Sequence, residues 1–343
     1  MQRSSLRVDT AYRDRAARPF DRDAHIVDRR ISDPVAERRA LVAGLLGTPA
    51  SIDPKYFYDG IGCALFCKIC NLPEYYPTRT EAAIFDRNRA EIVAAVGSGK
   101  QLVDLGAGDC AKAATWLPFL RPTRYVAVDI ADDALESALP QLASAHPQID
   151  VRGVLTDFTR GLELAPDMSE GPTTYFYPGS SIGNFSPARA LQFLQVIRRH
   201  CGTDAESGLL IGVDTNKDPA RLRAAYDDAA GVTAAFNRNI LAHVNRIIGT
   251  HFRPDAFRHV ALYDHAASRV EMHLEAVDTQ TVTIDGIARI FRAGERIHTE
   301  SSYKYAPPEF VAMLQRAGFG DVRVWQDDAQ DFAVYYASAI VAS

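Results

Sequence analysis

From Lys100 onward the chain alternates short apolar runs with stretches long enough for helices, and this rhythm restricts the fold more than any other feature. "QLVDLGAGDC", "YVAVDI", "TTYFYPGSSIGNF" and "GLLIGVDT" each read as a buried strand, and intervening segments such as "SPARALQFLQVIRRH" carry helical periodicity. Strands separated in this way predict a doubly wound parallel sheet with right-handed crossovers, an α/β Rossmann-like architecture. Near the C-terminus, "PEFVAMLQRAGFGDVRVWQD" reads as a helix and a strand, and "DFAVYYASAIVA" as a final hairpin strand.

Between about Asp218 and Tyr305 the texture changes. "DPARLRAAYDDAAGVTAAFNRNILAHVNRII" is strongly helical, and "SRVEMHLEAVDTQTVTIDGIARIFRAGERIHTESSYKY" alternates as strands with a turn at "IDGI". An α+β insertion between late strands of a parallel sheet is expected to cap the carboxyl edge, where ligands bind. The first eighty residues are expected to be helical and to complete that cap. The division that follows is a substrate-binding domain of residues 1–79 and 216–304, inserted in a second domain of residues 80–215 and 305–343.

In "LVDLGAGDC" a strand runs into Gly106-Ala107-Gly108, where the missing Cβ atoms permit a tight turn close to a ligand. Asp129 ends the next strand, about 20 residues on, where an acid accepts both ribose hydroxyls of a nucleoside. No third glycine follows, so the loop departs from the dinucleotide fingerprint; Asp109, Cys110 and Ala111 stand there instead. The acid Asp104 before the turn is similar to the acid-x-G-x-G motif of class I S-adenosylmethionine (SAM)-dependent methyltransferases and suits a cationic amino acid moiety. Asp157 and Phe158 of "TDF" supply a carboxylate for an exocyclic amine and a ring for stacking on adenine. Lys112 is grouped with these cosubstrate residues. The plainer alternative is an α/β fold whose glycines only make a turn.

A chain of 343 residues has ample material for a core, and a net charge of -5 without basic runs gives no footprint for nucleic acid. No stretch approaches the ~20 apolar residues needed to span a bilayer, and the N-terminus lacks an apolar signal core. The first thirty residues are Arg-rich, but Asp9, Asp14, Asp21, Asp23 and Asp28 argue against a transit peptide, so they are expected to be a solvated, partly disordered lead-in. Five cysteines do not suggest a secreted disulfide framework, and a cytoplasmic location is expected.

"YFYD", "G-x-x-LF", "LPEYYPTR-x-E" and "SSIGNF" together resemble the histidine-specific SAM-dependent methyltransferase family, from about residue 40 to the end. The resemblance implies a class I SAM-dependent methyltransferase sheet with an inserted substrate-binding domain, SAM as cosubstrate, no metal, and a monomeric enzyme with L-histidine as its small-molecule substrate. The activity implied is transfer of three methyl groups to the histidine α-amino group, giving hercynine, the first step of ergothioneine biosynthesis. It also implies residue roles. Asn184 and Tyr226 hold the substrate carboxylate; Tyr58 and Tyr75 line the amino group, with Tyr58 assisting proton removal through water; Met272, Glu300 and Ser302 contact the imidazole.

The last pair is also open to a physical reading. In a regular strand Glu300 and Ser302 project together, whereas Thr299 and Ser301 point the other way. A carboxylate and a hydroxyl on one face can bond both ring nitrogens, whereas indole or phenyl would leave Glu300 unpaired. An exposed strand with ordinary polar residues is the alternative for these residues taken alone. Two further functions stay open: methylation of another amino acid such as tryptophan, and a non-catalytic SAM- or amino-acid-binding protein.

"GCALFCKIC" spaces Cys63, Cys67 and Cys70 as C-x3-C-x2-C, the pattern that holds an iron–sulfur cluster in radical SAM enzymes. Here the spacing is i, i+4, i+7 on one helical face, ahead of a sheet with its own cosubstrate motif, and no fourth ligand for zinc is apparent. Three small, buried or half-buried thiols are expected. Cys110 occupies a position often held by glycine in such loops.

Overall fold

The structure, a computed structural model, describes residues 25–30, 33–159 and 161–339. Most of the expected lead-in lies outside these residues; its end, from His25 to Asp28, is a strand. Along the chain the strands are β1 (His25–Asp28), β2 (Ala50–Ser51), β3 (Gln101–Leu105), β4 (Arg124–Asp129), β5 (Asp150–Leu155), β6 (Thr173–Tyr177), β7 (Gly208–Asp214), β8 (Phe257–Asp264), β9 (Arg269–Ala276), β10 (Gln280–Ile284), β11 (Ile287–Phe291), β12 (Arg296–Tyr303), β13 (Phe319–Gln326) and β14 (Phe332–Ala339).

Eight strands form one sheet in the order β1-β5-β4-β3-β6-β7-β14-β13. Its members are parallel except for β14, which runs antiparallel to both β7 and β13. β3, β6 and β7 are buried at every position because helices cover both faces, which is why they read as largely apolar runs rather than alternating ones. Side chains alternate across the sheet: Val103 and Leu105 join one core, Leu102 the other. The helix Pro187–His200 shows the complementary period, burying Ala190, Phe193, Leu194 and Ile197 on one face. The order of connection reverses between β3 and β6, so the ligand crevice of this sheet lies beyond the carboxyl ends of those strands.

A second sheet, β2-β12-β9-β8, and the hairpin β10–β11 form a separate layer with its own core, built from residues between Leu41 and Tyr76 and between Leu222 and Ile297. The hairpin turns at Asp285-Gly286, as "IDGI" predicts. Three differences from the sequence reading have local causes. The helical stretch after Asp218 is two helices, Pro219–Tyr226 and Val232–Ile248, because Asp228 accepts the Val232 and Thr233 amides and caps the second one. β8 was not anticipated; it is an edge strand, half-exposed along most of its length, and its apolar and polar residues do not alternate. β1 comes from the N-terminal segment assigned to the cap, yet it extends the large sheet beside β5.

Candidate active site

At the crevice β3 runs into Gly106 and Gly108, both with left-handed φ (75° and 54°), a conformation that suits a residue without Cβ. The turn is fastened to β4, since Gly106 N donates to Val128 O at 2.8 Å and Gly108 N to Asp129 Oδ2 at 2.8 Å. Asp129 Oδ1 accepts from Ile130 N and Ala131 N at 2.7 and 2.9 Å. Cys110 also has positive φ, 58°, which accounts for the expectation of glycine there. Asp104 is buried; its Oδ2 accepts from the Tyr125 hydroxyl at 2.8 Å, and its Oδ1 has no partner among the described residues. Burial pushes this carboxyl up to about 7, against the pull of the Tyr125 hydrogen bond. An orphaned buried acceptor beside an open glycine turn fits a cationic nucleoside such as SAM.

The other residues of that set surround the same crevice. Phe158 lies over the turn, its ring 3.9 Å from where a Gly106 Cβ would be, and packs on Tyr177 and Phe193. Asp157 accepts from Thr159 N and faces Lys55 at 3.9 Å. With Ile130, Thr156 and Tyr58 it lines an open groove. Lys112 Nζ donates to Glu81 Oε2 at 2.7 Å, and Glu81 Oε1 accepts from Gly179 N at 2.7 Å. Glu81 therefore joins the helix after the glycine turn to the loop after β6. It falls within "LPEYYPTRTEA", but nothing in that stretch signals its partners.

Tyr58, Tyr75, Asn184, Tyr226, Met272, Glu300 and Ser302 come together around one cavity of about 600 Å³, its open mouth included. They arrive from distant parts of the chain: Asn184 from the turn after β6, Tyr226 from the end of the helix Pro219–Tyr226, and Met272 and Glu300 as cross-strand neighbours on β9 and β12. Tyr58 lines both the cavity and the groove beside Asp157, so the two spaces meet at its ring. Phe66 and Phe236, which the sequence reading missed, complete an aromatic wall with Tyr58 and Tyr75.

Glu300 is buried, and among the described residues no hydrogen bond reaches its carboxyl group. Burial raises it to about 7 while Lys304 acts in the opposite sense. The expected alternation fails next to it. A bulge between His298 and Glu300 turns Thr299 inward, where its fully buried hydroxyl lies 2.8 Å from Asn237 Oδ1 and 2.9 Å from Met272 O. Tyr58 is held well above the ordinary phenol range by burial first and by Glu300 and Asp129 next, so it stays a neutral phenol at physiological pH.

Ser302 belongs to a buried network absent from the sequence reading. Lys304 Nζ donates to Ser302 Oγ at 2.8 Å, to Tyr226 Oη at 2.9 Å and to Asp214 Oδ2 at 2.8 Å, and Tyr226 Oη donates to Ser302 Oγ at 2.8 Å. Burial works against the Lys304 charge, and the Asp214 carboxylate more than offsets that, holding the ammonium above the usual lysine range. Asp214 is also met by Tyr76 Oη at 2.8 Å and by Lys217. Lys304 lies one residue past β12, and nothing in the sequence around it marks this network.

Cys63 and Cys67 lie on the helix Gly60–Ile69, with Cys70 at its C-cap. All three are free; Cys63 and Cys70 are half-buried and Cys67 is exposed, which corrects the expectation of three buried or half-buried thiols. Among the described residues no three His, Cys, Asp or Glu side chains are grouped to hold a metal ion, and no helix is long and apolar enough to cross a membrane.

A parallel sheet closed by an antiparallel β14, with a glycine turn after β3 and an acid at the end of β4, defines a class I SAM-dependent methyltransferase. The chain belongs to the histidine-specific SAM-dependent methyltransferase family, which matches residues 37–339. It is 41% identical over 314 residues to histidine N-alpha-methyltransferase of Mycolicibacterium smegmatis, covering 89% of this chain and 96% of that one. Identity to the Mycobacterium tuberculosis protein of the same name is 38% over 310 residues, covering 89% and 95%. Ergothioneine biosynthesis protein 1 of Neurospora crassa is 30% identical over 287 residues, which is 81% of this chain and 32% of that longer one.

Proposed function

We propose that the protein is an L-histidine Nα-methyltransferase that transfers three methyl groups in succession from SAM to the α-amino group, giving hercynine (Nα,Nα,Nα-trimethylhistidine) for ergothioneine biosynthesis. The observation that carries this reading is Glu300, a buried carboxyl without a hydrogen-bond partner among the described residues, in the cavity that also holds Asn184 and Tyr226. A ring that brings N–H donors satisfies it, whereas an indole or phenyl ring reaching the same wall leaves it unpaired. Asn184 and Tyr226 take the substrate carboxylate, and Met272 packs against the ring.

In this reading Asp104, Gly106, Gly108, Lys112, Asp129, Asp157 and Phe158 hold SAM, which supplies an electrophilic methyl group on a sulfonium. The chain's task is mainly to position an amine nitrogen in line, about 3 Å from that carbon. The nitrogen lone pair forms the new N–C bond as the C–S bond breaks, and the ammonium proton has already left to solvent. With an α-amino pKa near ~8 or above, that deprotonation is reached at alkaline pH. Tyr58, kept as a phenol, accepts the departing proton's hydrogen bond or relays it through water. The faces of Tyr58, Phe66, Tyr75 and Phe236 accommodate the charge that builds up on the methylated nitrogen.

Residues 1–79 and 216–304 serve substrate binding and residues 80–215 and 305–343 methyl transfer, β1 being a structural edge of the latter's sheet. The enzyme is proposed to act as a monomer, and a cytoplasmic location is in keeping with a pool of free histidine and SAM. The test is mass spectrometry of the purified protein with SAM and an equimolar panel of the twenty amino acids. Histidine gaining one, two and three methyl groups is expected. Methylation of another amino acid would overturn the roles of Glu300 and Ser302, and no methyl transfer to any would overturn the enzymatic reading.

A further inference from the structure

The Tyr226 and Ser302 hydroxyls both face the cavity, 2.8 Å apart, and Lys304 donates to both oxygens while its third proton goes to Asp214. An ammonium only donates, so it cannot take a proton from either hydroxyl. Two hydroxyl protons remain. Two oxygens held 2.8 Å apart need one of them between them, which leaves a single O–H free to turn into the cavity. Without substrate either hydroxyl can supply the shared proton, and the other then turns its own outward.

Resting on the proposed function, a substrate carboxylate near Tyr226 fixes this order. A carboxylate is a stronger acceptor than a neutral ring nitrogen, so the outward proton moves to Tyr226, and Ser302 then donates to Tyr226 and presents only an acceptor to the ring. Glu300, on the same wall, is the second acceptor. We propose that Lys304 is a positioning residue that limits the Tyr226–Ser302 pair to one outward proton, so that histidine is bound with its ring as the imidazolium, doubly protonated between Glu300 and Ser302.

The charges around the ring suit this state. Glu300 faces Tyr58, Tyr75 and Tyr226, none of which is anionic, and its one cationic neighbour, Lys304, is paired with Asp214, itself met by Lys217 and Tyr76. An imidazolium gives the buried Glu300 a counter-charge. The arrangement separates two protonations in one substrate: at a pH high enough to free the α-amine, the ring of free histidine is neutral and the bound ring is not.

The test is 15N NMR of ring-labelled histidine bound to the protein with S-adenosylhomocysteine, recorded from pH 6 to 9. Both ring nitrogens are expected to report N–H at pH 8, the bound ring's pKa lying about two units or more above the ordinary ~6.5. The double variant Asp214→Leu/Lys304→Met, which removes the pair without leaving a net charge beside the ring and lets the two hydroxyls part and both turn outward, is expected to return that pKa by about a unit or more toward the free value; Asp214→Asn/Lys304→Met serves where the leucine variant fails to fold. A neutral ring in the wild-type complex at pH 8 overturns the proposal, and an unchanged ring pKa in the variants overturns the part given to Lys304. Absence of any bound histidine signal in the wild type overturns the substrate reading itself, a different result from either of these.

Discussion

Lys304 Nζ lies 2.8 Å from Asp214 Oδ2, and neither side chain exposes any surface. Asp214 is the last residue of β7 in the large sheet, and Lys304 follows β12 in the small one, so this pair ties the two layers together at the cavity wall. Removing one member of a buried pair leaves the other uncompensated, at a cost of about 3–5 kcal/mol. Asp214→Leu is expected to destabilise by that order in urea unfolding. The double variant Asp214→Leu/Lys304→Met should recover part of the loss, which simple additivity forbids.

The Glu300 carboxyl, raised from 4.5 to about 7 by burial, makes stability pH-dependent with a definite sign. The folded chain binds more protons than the unfolded one between these values, so this group's contribution is present below about 4.5 and lost as pH rises through about 7. Glu300→Gln carries no such charge. Its stability relative to wild type is expected to rise between pH 4.5 and 7.5, by up to about 3 kcal/mol at ~1.36 kcal/mol per unit. Denaturant titrations at both pH values check this. A flat difference would mean that the Glu300 carboxyl titrates alike in the folded and unfolded chains. The same variant is expected to lose roughly 10- to 100-fold in kcat/KM for histidine, since hydrogen bonds to a charged group contribute about 1.5–3 kcal/mol.

Much of this was legible beforehand. β3, β6 and β7 are largely apolar because both faces are covered, and Asp129 follows from its distance after the glycines. The seven cavity residues were placed by motifs that resemble a family, and no periodicity would have gathered Tyr58, Asn184 and Met272 from separate elements. What stayed hidden depends on contacts between layers. Nothing local in "GVDTNK" or "SSYKY" indicates that Asp214 and Lys304 meet. The bulge at Thr299 defeats strict alternation, and Asp228 breaks a helical stretch that reads as continuous.

In the proposed function Asp129 has two duties, holding the glycine turn and accepting the ribose hydroxyls, and a variant can separate them. Its oxygens already hold Gly108, Ile130 and Ala131 amides, so Asp129→Ala releases the turn as well as removing the ribose acceptor. Asp129→Asn keeps one acceptor oxygen for the turn. SAM affinity measured by calorimetry is expected to fall about 10- to 100-fold in both, and the melting temperature is expected to fall measurably in the alanine variant alone.

The cysteine triplet is expected to be dispensable. Burial raises Cys63 to about 11, so it stays a thiol, whereas Cys67 is exposed. Iodoacetamide at pH 8 is expected to label Cys67 first, as read by peptide mass mapping. The Cys63→Ser/Cys67→Ser/Cys70→Ser variant should retain methyl transfer within about twofold, since surface or half-buried exchanges of this size typically shift stability by about 0.5 kcal/mol. Loss of activity together with loss of bound iron would restore the cluster reading.

Gly212 offers the sharpest test of the link through Glu81. It sits inside β7, and a Cβ built there would lie 1.9 Å from Glu81 Oε1, the oxygen that accepts from Gly179 N. A strand backbone held on both sides cannot move aside, so Gly212→Ala must displace the carboxylate and undo its contacts with both Gly179 and Lys112. A stability loss of about 1–3 kcal/mol is expected from the overpacking, with a larger relative loss in kcat/KM because two ligand-facing loops are released together. Glu81→Ala removes the obstructing side chain. Gly212→Ala added to Glu81→Ala should therefore cost little more than Glu81→Ala alone, in unfolding and in turnover alike. Additive losses would place the effect of Gly212 elsewhere, in its 2.9 Å approach to the Phe332 ring.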